Sequence, residues 1–329
     1  MEQRILGRTG RSVGVVGLGA WQLGADWGEV TDEAAFEVLA AAVASGVTFI
    51  DTADVYGDGR SEKLIARFRS AGGFGSSAVT VATKMGRREA LDPANFTLAK
   101  FREWTDRSRA NLGVDTLDLV QLHCPPDPVF DSDRVFDDLD TLVAEKAVAA
   151  YGVSVETSDQ ALRAIARPGV ASVQIILNML RLKPLERVLP AAVDAGVGII
   201  ARVPLASGLL SGRYDEHTEF AENDHRNYNR HGEAFDVGET FSGVPYDTGL
   251  EAVRRLRSLA PDGATTAQFA LRWILDQPGV SVVIPGARTP EQATGNAAAA
   301  ALAPLDRSTV EAVARVYDEL VRPRVHDRW

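Results

Sequence analysis

Residues 98–123, LAKFREWTDRSRANLGVDTLDLVQLH, hold one structural repeat in full. Leu98–Leu112 has apolar residues at helical spacing. After Gly113 the chain changes to LDLVQLH (117–123), a short β-rich run ending in a titratable residue. The same exchange recurs outward in both directions. Further β-rich runs are VGVVGLG (13–19), VTFIDT (47–52), VTVATK (79–84), AYGVSV (150–155), SVQIILN (172–178), VGIIARVP (197–204) and VSVVIPG (280–286). Asp32–Ser45, Ser61–Arg69 and Asp133–Glu145 are amphipathic stretches between them. Eight apolar strands with little alternation read as parallel strands buried on both faces. Short helical spacers favour closure into an α/β (β/α)₈ TIM barrel over an open sheet. The expected organisation is one barrel domain over residues 1–329. Two features fall outside the rhythm. Arg4–Val13 predicts a β-hairpin turning at residues 8–11 and plugging one end of the barrel. The stretch after strand seven, roughly 207–246, is long, polar and Gly-rich, which predicts a functional loop.

Composition narrows the function classes. The 329-residue chain is 45% hydrophobic and 24% charged, as in an ordinary soluble domain. No apolar run reaches the ~18 residues of a membrane span, and the N-terminal residues lack the apolar core of a signal peptide. Cys124 is the only cysteine, which excludes an internal disulfide and suits a cytoplasmic setting. A net charge of −10 argues against nucleic acid as a partner. Any phosphate-bearing ligand would need locally concentrated positive charge.

In such barrels the chemistry sits at the C-terminal ends of the strands. Reading off those ends gives Asp51, Lys84 and His123 from consecutive strands, with Tyr56 just beyond Asp51. Each alone has a bland reading: a helix cap, a solvated lysine, a core histidine. Together they suit carbonyl reduction, in which a proton must reach the oxygen as hydride reaches the carbon. A tyrosine titrates near ~10, and an adjacent ammonium lowers that value. Lys84 supplies the charge, Asp51 holds the lysine, and His123 orients the carbonyl. Residues 14–24, GVVGLGAWQLG, lack the third glycine of a dinucleotide fingerprint, because Gln22 stands there. The better anion site is residues 284–290, where Gly286 admits close approach, a helix begins, and Arg288 brings charge. Trp21 and Trp27 after strand one, with Tyr56, His123 and Cys124, predict an aromatic-walled pocket for a small-molecule carbonyl.

FIDTADVYG (49–57), VATKMG (81–86) and LVQLHCP (119–125) resemble the motifs of the aldo-keto reductase superfamily. The likeness extends to VPLASGLLSGRY (203–214) and to SVVIPGARTPEQATGNAAAA (281–300). It implies a (β/α)₈ barrel that reduces aldehydes and ketones with a nicotinamide cofactor, generally NADPH, NADH being the lesser expectation. Carried over, Tyr56 is the general acid, Asp51 and Lys84 support it, and His123 binds the carbonyl. The resemblance adds Gln292 and Asn296 as contacts to the adenosine phosphate end. Ser154, Gln174 and Asn178 correspond to holders of the carboxamide, with Val155 where many relatives have Asn. Pro204, Leu205, Ser207, Gly208 and Leu209 correspond to a backbone cradle for the pyrophosphate. Arg202 stands where many relatives stack an aromatic ring on the nicotinamide. The competing readings are an NADP(H)-binding sensor or regulatory subunit with little turnover, and a Schiff-base barrel using Lys84. No metal-ligand spacing is evident, and either a monomer or a homo-oligomer is compatible with the sequence.

Overall fold

A computed structural model of the chain describes residues 1–24, 30–222 and 224–329. Trp27, expected in the substrate pocket, lies outside the described residues. Among the described residues there are ten strands: β1 (Gln3–Ile5), β2 (Ser12–Gly14), β3 (Leu18–Gly19), β4 (Phe49–Asp51), β5 (Thr80–Met85), β6 (Leu119–His123), β7 (Tyr151–Ser154), β8 (Val170–Ile176), β9 (Gly198–Arg202) and β10 (Val280–Val283). Strands β3 to β10 pair in chain order, all parallel. Parallel bridges Val16–Val283 and Gly19–Gly286 join the first strand to the last and close the barrel. The early glycines serve this seam. A Cβ on Gly19 would lie 3.0 Å from the Ile284 carbonyl oxygen, tighter than an ordinary contact, so glycine eases the approach.

The expected strand 13–19 divides. Val13 and Gly14 pair with Arg4 and Gln3 in the antiparallel hairpin β1–β2, and the barrel strand starts later. The hairpin turns through a 3₁₀ segment, Gly7–Thr9, and inserts Leu6 beneath the barrel. Leu6 packs with Val13, Phe49, Ala82, Leu119, Ile200, Val282 and Ile284, forming an apolar floor separate from the core under the helices. The fit is close enough that a Cβ on Gly198 would meet the Gly7 nitrogen at 2.7 Å and Leu6 at 2.9 Å. Arg8 fixes the turn by donating to the carbonyls of Pro168 at 2.7 Å and Ala195 at 2.8 Å. Leu6→Ala is therefore expected to destabilise the protein by about 2–5 kcal/mol. Urea unfolding monitored by circular dichroism would read this, and an unchanged midpoint would mean that the plug contributes nothing.

Side chains alternate along a strand, so interior positions recur every second residue. In β4 this places Phe49 in the floor and Asp51 above it. Ala82 and Lys84 follow suit in β5, and Leu119, Gln121 and His123 in β6. Ser172 and Gln174 do so in β8, and Ile200 and Arg202 in β9. The interior thus changes from apolar to polar towards the C-terminal ends. Helices Asp32–Ala44, Arg60–Ser70, Leu98–Leu112, Asp133–Ala144, Ser158–Ile165, Pro184–Ala195, Thr266–Leu275 and Pro290–Ala298 cover the outside. Between β9 and its helix lies the long excursion, which carries short helical turns and the additional helix Tyr246–Arg257. Among the described residues, no helix is long and apolar enough to cross a membrane.

Candidate active site

The strand ends deliver their polar residues to one buried cluster. Lys84 Nζ contacts Asp51 Oδ1, donates to the Thr52 carbonyl at 2.9 Å, and lies 3.3 Å from the Tyr56 hydroxyl. Lys84 and Asp51 are almost fully buried. The second oxygen of Asp51 accepts from Gln174 at 2.7 Å and from Gln121 at 3.1 Å. The carboxylate is thus compensated on both sides, as a buried charge requires. Burial opposes the charge on Lys84, but Asp51 and Tyr56 outweigh it and hold the ammonium above its ordinary range.

Tyr56 stands on the turn after β4, stacked against Trp21 at 6.0 Å and edge-on to His123 at 6.0 Å. The expected lowering of its pKa is not what results. Burial pushes the phenol up, and Lys84 offsets that only in part, so the group rests as a protonated acid. His123 is held well below the ordinary histidine range by burial and then by Arg87, Lys84 and Arg202, and is neutral. Its Nδ1 is buried with no partner among the described residues. Nε2 is then the ring nitrogen available to the cavity that His123 lines.

That cavity, about 1680 Å³, runs from Trp21, Tyr56 and His123 past the β7–β9 ends to the segments 260–268 and 284–296. Ser154, Gln174, Arg202, Pro204, Leu205, Ser207, Gly208, Gly286, Arg288, Gln292 and Asn296 all line it. The backbone from Val203 to Gly208 has positive φ at Val203, Ala206, Ser207 and Gly208, a conformation costly outside glycine. Arg288 is exposed and, among the described residues, has no ion pair. The turn beneath it is braced: Gln292 Oε1 accepts from the Arg288 backbone at 2.8 Å, and Asn296 donates to the Gly286 carbonyl at 3.2 Å. Thr289 caps the helix Pro290–Ala298. Arg213 and Arg257 join Arg288 along this part of the wall.

Three expected residues lie elsewhere. Leu209 is buried in the core, packed over Gly249, with its N–H bonded to Ala206. Asn178 donates to the Val203 carbonyl at 2.9 Å and to Ser242 at 2.8 Å, so its amide fastens the loop after β9 instead of facing the cavity. Cys124 does not line the cavity. Its φ of 50° turns the chain after His123 and tucks the thiol beneath the wall, 3.5 Å from Ser154 Oγ and 3.8 Å from Arg202. Burial and Glu156 push that thiol up to about 12, leaving it inert.

Sequence reasoning missed a buried ionic group on the same wall. Arg202 donates to Glu239, to Glu156 at 2.8 Å and to the Val155 carbonyl at 3.1 Å. Arg87 bonds Glu156 at 3.1 Å and the His123 carbonyl at 3.2 Å. Cys124, Glu156 and Glu239 are close enough together to suggest a cation site. The Arg202 guanidinium already stands among them and balances both carboxylates. Arg87 and Glu156 were open to detection because each follows a strand end. Glu239 gives no local signal, lying in the long loop 37 positions from its partner.

The comparisons agree with this architecture. The Aldo/keto reductase family model matches residues 15–318. The chain is 31% identical over 303 residues to the aldo-keto reductase YhdN of Bacillus subtilis, covering 89% of this chain and 86% of that protein. A glycerol dehydrogenase structure from Gluconobacter oxydans superposes with a TM-score of 0.79 at 28% identity, covering 97% of this chain and 95% of that one. An aldo/keto reductase from Klebsiella pneumoniae, in complex with NADP and acetate, shares the fold with a TM-score of 0.68 at 24% identity, covering 96% of each chain. Barrel, strand-end cluster and family match together establish that the chain belongs to the aldo/keto reductase family.

Proposed function

We propose that the protein reduces aldehydes or ketones to alcohols with NADPH, Tyr56 acting as the proton donor. The observation that carries this reading is the buried contact of Lys84 with both Asp51 and Tyr56, beside a neutral His123 at a cavity mouth. The cavity fits the cofactor: it extends from Tyr56 and His123 past the backbone turn at 203–208 and Gly286 to the exposed Arg288, which has no ion pair among the described residues. Ser154 and Gln174 would hold the nicotinamide end, Pro204, Leu205, Ser207, Gly208 and Gly286 the middle, and Arg288, Gln292 and Asn296 the phosphate end. When bound, the reduced nicotinamide supplies hydride to the carbonyl carbon. His123 Nε2–H and Tyr56 Oη–H hold the carbonyl oxygen between them. Tyr56 gives up its proton to that oxygen, and Lys84 stabilises the phenolate left behind. Asp51, held by Gln121 and Gln174, keeps Lys84 charged and in place. Trp21 closes one side against water.

The test is consumption of NADPH, followed optically, with a panel of aliphatic and aromatic aldehydes. Turnover supports the enzyme reading. Tight NADPH binding without turnover of any carbonyl would instead support a sensor or regulatory subunit. A guanidinium on the 2′-phosphate is a charge-assisted contact. Arg288→Ala is therefore expected to raise KM for NADPH about tenfold or more while changing kcat and the KM for NADH little. Equal losses with both cofactors would remove Arg288 from that role.

A further inference from the structure

Among the described residues, nothing beyond Asn296 lines the cavity, yet the segment 317–329 is firmly docked. Val325 is buried in the core, and the Tyr317 hydroxyl bonds His326 Nδ1 at 2.8 Å. Trp329, also buried, lays its ring on the face of the Arg181 guanidinium at 3.8 Å. Arg181 needs such a neighbour. It is fully buried and has no ion pair among the described residues, and its Nε and Nη1 are sealed without a hydrogen-bond partner there. Nη2 alone donates, to the Glu156 carbonyl. Burial and the nearby Arg202 push the group down to about 10, so its charge is under-compensated. An aromatic face attracts such a desolvated cation.

The same indole also meets the long loop after β9. A Cβ on Gly238 would lie 3.0 Å from Trp329 Cη2 and 2.2 Å from Arg181 Nη1. One on Gly243 would lie 2.9 Å from Trp329 Cζ2. Trp329 is thus wedged between Arg181 and residues 238–243. That stretch needs holding. Phe241 and Ser242 have φ of 52° and 57°, a left-handed backbone that persists only where the surroundings enforce it. Asn178 fastens Ser242 from the turn after β8, and the indole closes against the two glycines. Between those glycines stands Glu239, whose carboxylate receives Arg202.

We infer that Trp329 is a positioning residue: it clamps residues 238–243 against Arg181 and so keeps Glu239 on Arg202 at the cavity wall. Its effect on turnover rests on the reductase reading, whereas the clamp itself does not.

The experiment is a cycle of full-chain variants, Trp329→Leu, Glu239→Ala and the pair, read by kcat/KM with NADPH and by hydrogen exchange. Trp329→Leu is expected to speed exchange of the amides at 238–243 about tenfold or more, with β4 to β6 unchanged, and to lower kcat/KM about tenfold. The pair should be no worse than the more damaging single variant, since both act on one contact. Trp329→Phe, which keeps an aromatic face for Arg181, should stay within about threefold of the wild type. Losses that multiply in the pair would overturn the inference, because Trp329 would then act by a route other than Glu239. Unchanged exchange at 238–243 in Trp329→Leu would overturn it too. If Trp329→Leu fails to fold, the wild type decides: under rising urea, residues 238–243 and 325–329 should lose protection together. A loop that stays protected after the tail has opened would sink the clamp. Turnover of no carbonyl would remove the reductase reading and leave hydrogen exchange to decide the clamp.

Discussion

Tyr56→Phe is expected to lower kcat for aldehyde reduction by about 10²–10⁴-fold, with NADPH binding retained. The substitution removes one oxygen and leaves the ring, which is held by stacking on Trp21 and by the edge contact with His123. The pocket should therefore keep its shape, and the loss should fall on the proton-transfer step. A pH profile separates this from a general loss of packing. Burial raises the Tyr56 phenol above its ordinary value near ~10. A donor acts in its protonated form, so reduction should be level across neutral pH and fall only as pH climbs past the phenol's pKa. His123 is neutral well below its ordinary range, so it should add no inflection between about pH 6 and 9. A wild-type profile that bends near pH 6.5 would assign the proton to His123. A Tyr56→Phe variant with most of its activity would assign it elsewhere.

The buried strand-end cluster was legible because two rules converge on it. Barrel chemistry sits at strand ends, and the period-2 rule sends Asp51, Lys84 and His123 to the same interior face as the apolar floor residues two or four positions earlier. The same parity applies to Gln121, which the sequence reading passed over although it brings the second amide to Asp51. Other features depended on what local patterns do not encode. The thiol of Cys124 leaves the cavity because a single positive φ reverses the chain after His123. Val13 and Gly14 left the first barrel strand because the hairpin competes for their backbone hydrogen bonds. The direction of the Tyr56 shift turns on burial, with the charges of Asp51 and Glu239, against Lys84, a balance of magnitudes that residue types alone do not supply. Glu239 reaches Arg202 only through the path of the long loop. Ser207 Oγ pins that path, donating to the Glu239 carbonyl at 2.7 Å and accepting from the Phe241 amide at 3.2 Å. Contacts of that kind join distant residues with no shared periodicity.

Lys84→Met is expected to cost about 3–5 kcal/mol of stability as well as most activity, because it leaves Asp51 charged and buried without its cation. The two amides on Asp51 Oδ2 would remain, but neither carries charge. For a domain of this size the melting temperature should fall on the order of 5–10 °C. The folded-state pKa of Lys84 is raised, so its contribution is fully present below the unfolded value near ~10.4. It is lost only as pH rises through the folded value, and the deficit of the variant should be constant across neutral pH. The pair Asp51→Asn/Lys84→Met removes both charges at once. It should recover much of the stability, since a neutral pair no longer strands a carboxylate. Activity should not return, because the phenolate left on Tyr56 would still have no ammonium 3.3 Å away. Stability and turnover would thereby part company in one cycle of variants, measured by thermal unfolding and by steady-state rates. A double variant as unstable as Lys84→Met would mean that packing of the lysine chain, not its charge, holds the cluster. One that regained turnover would mean that Tyr56 donates its proton without Lys84.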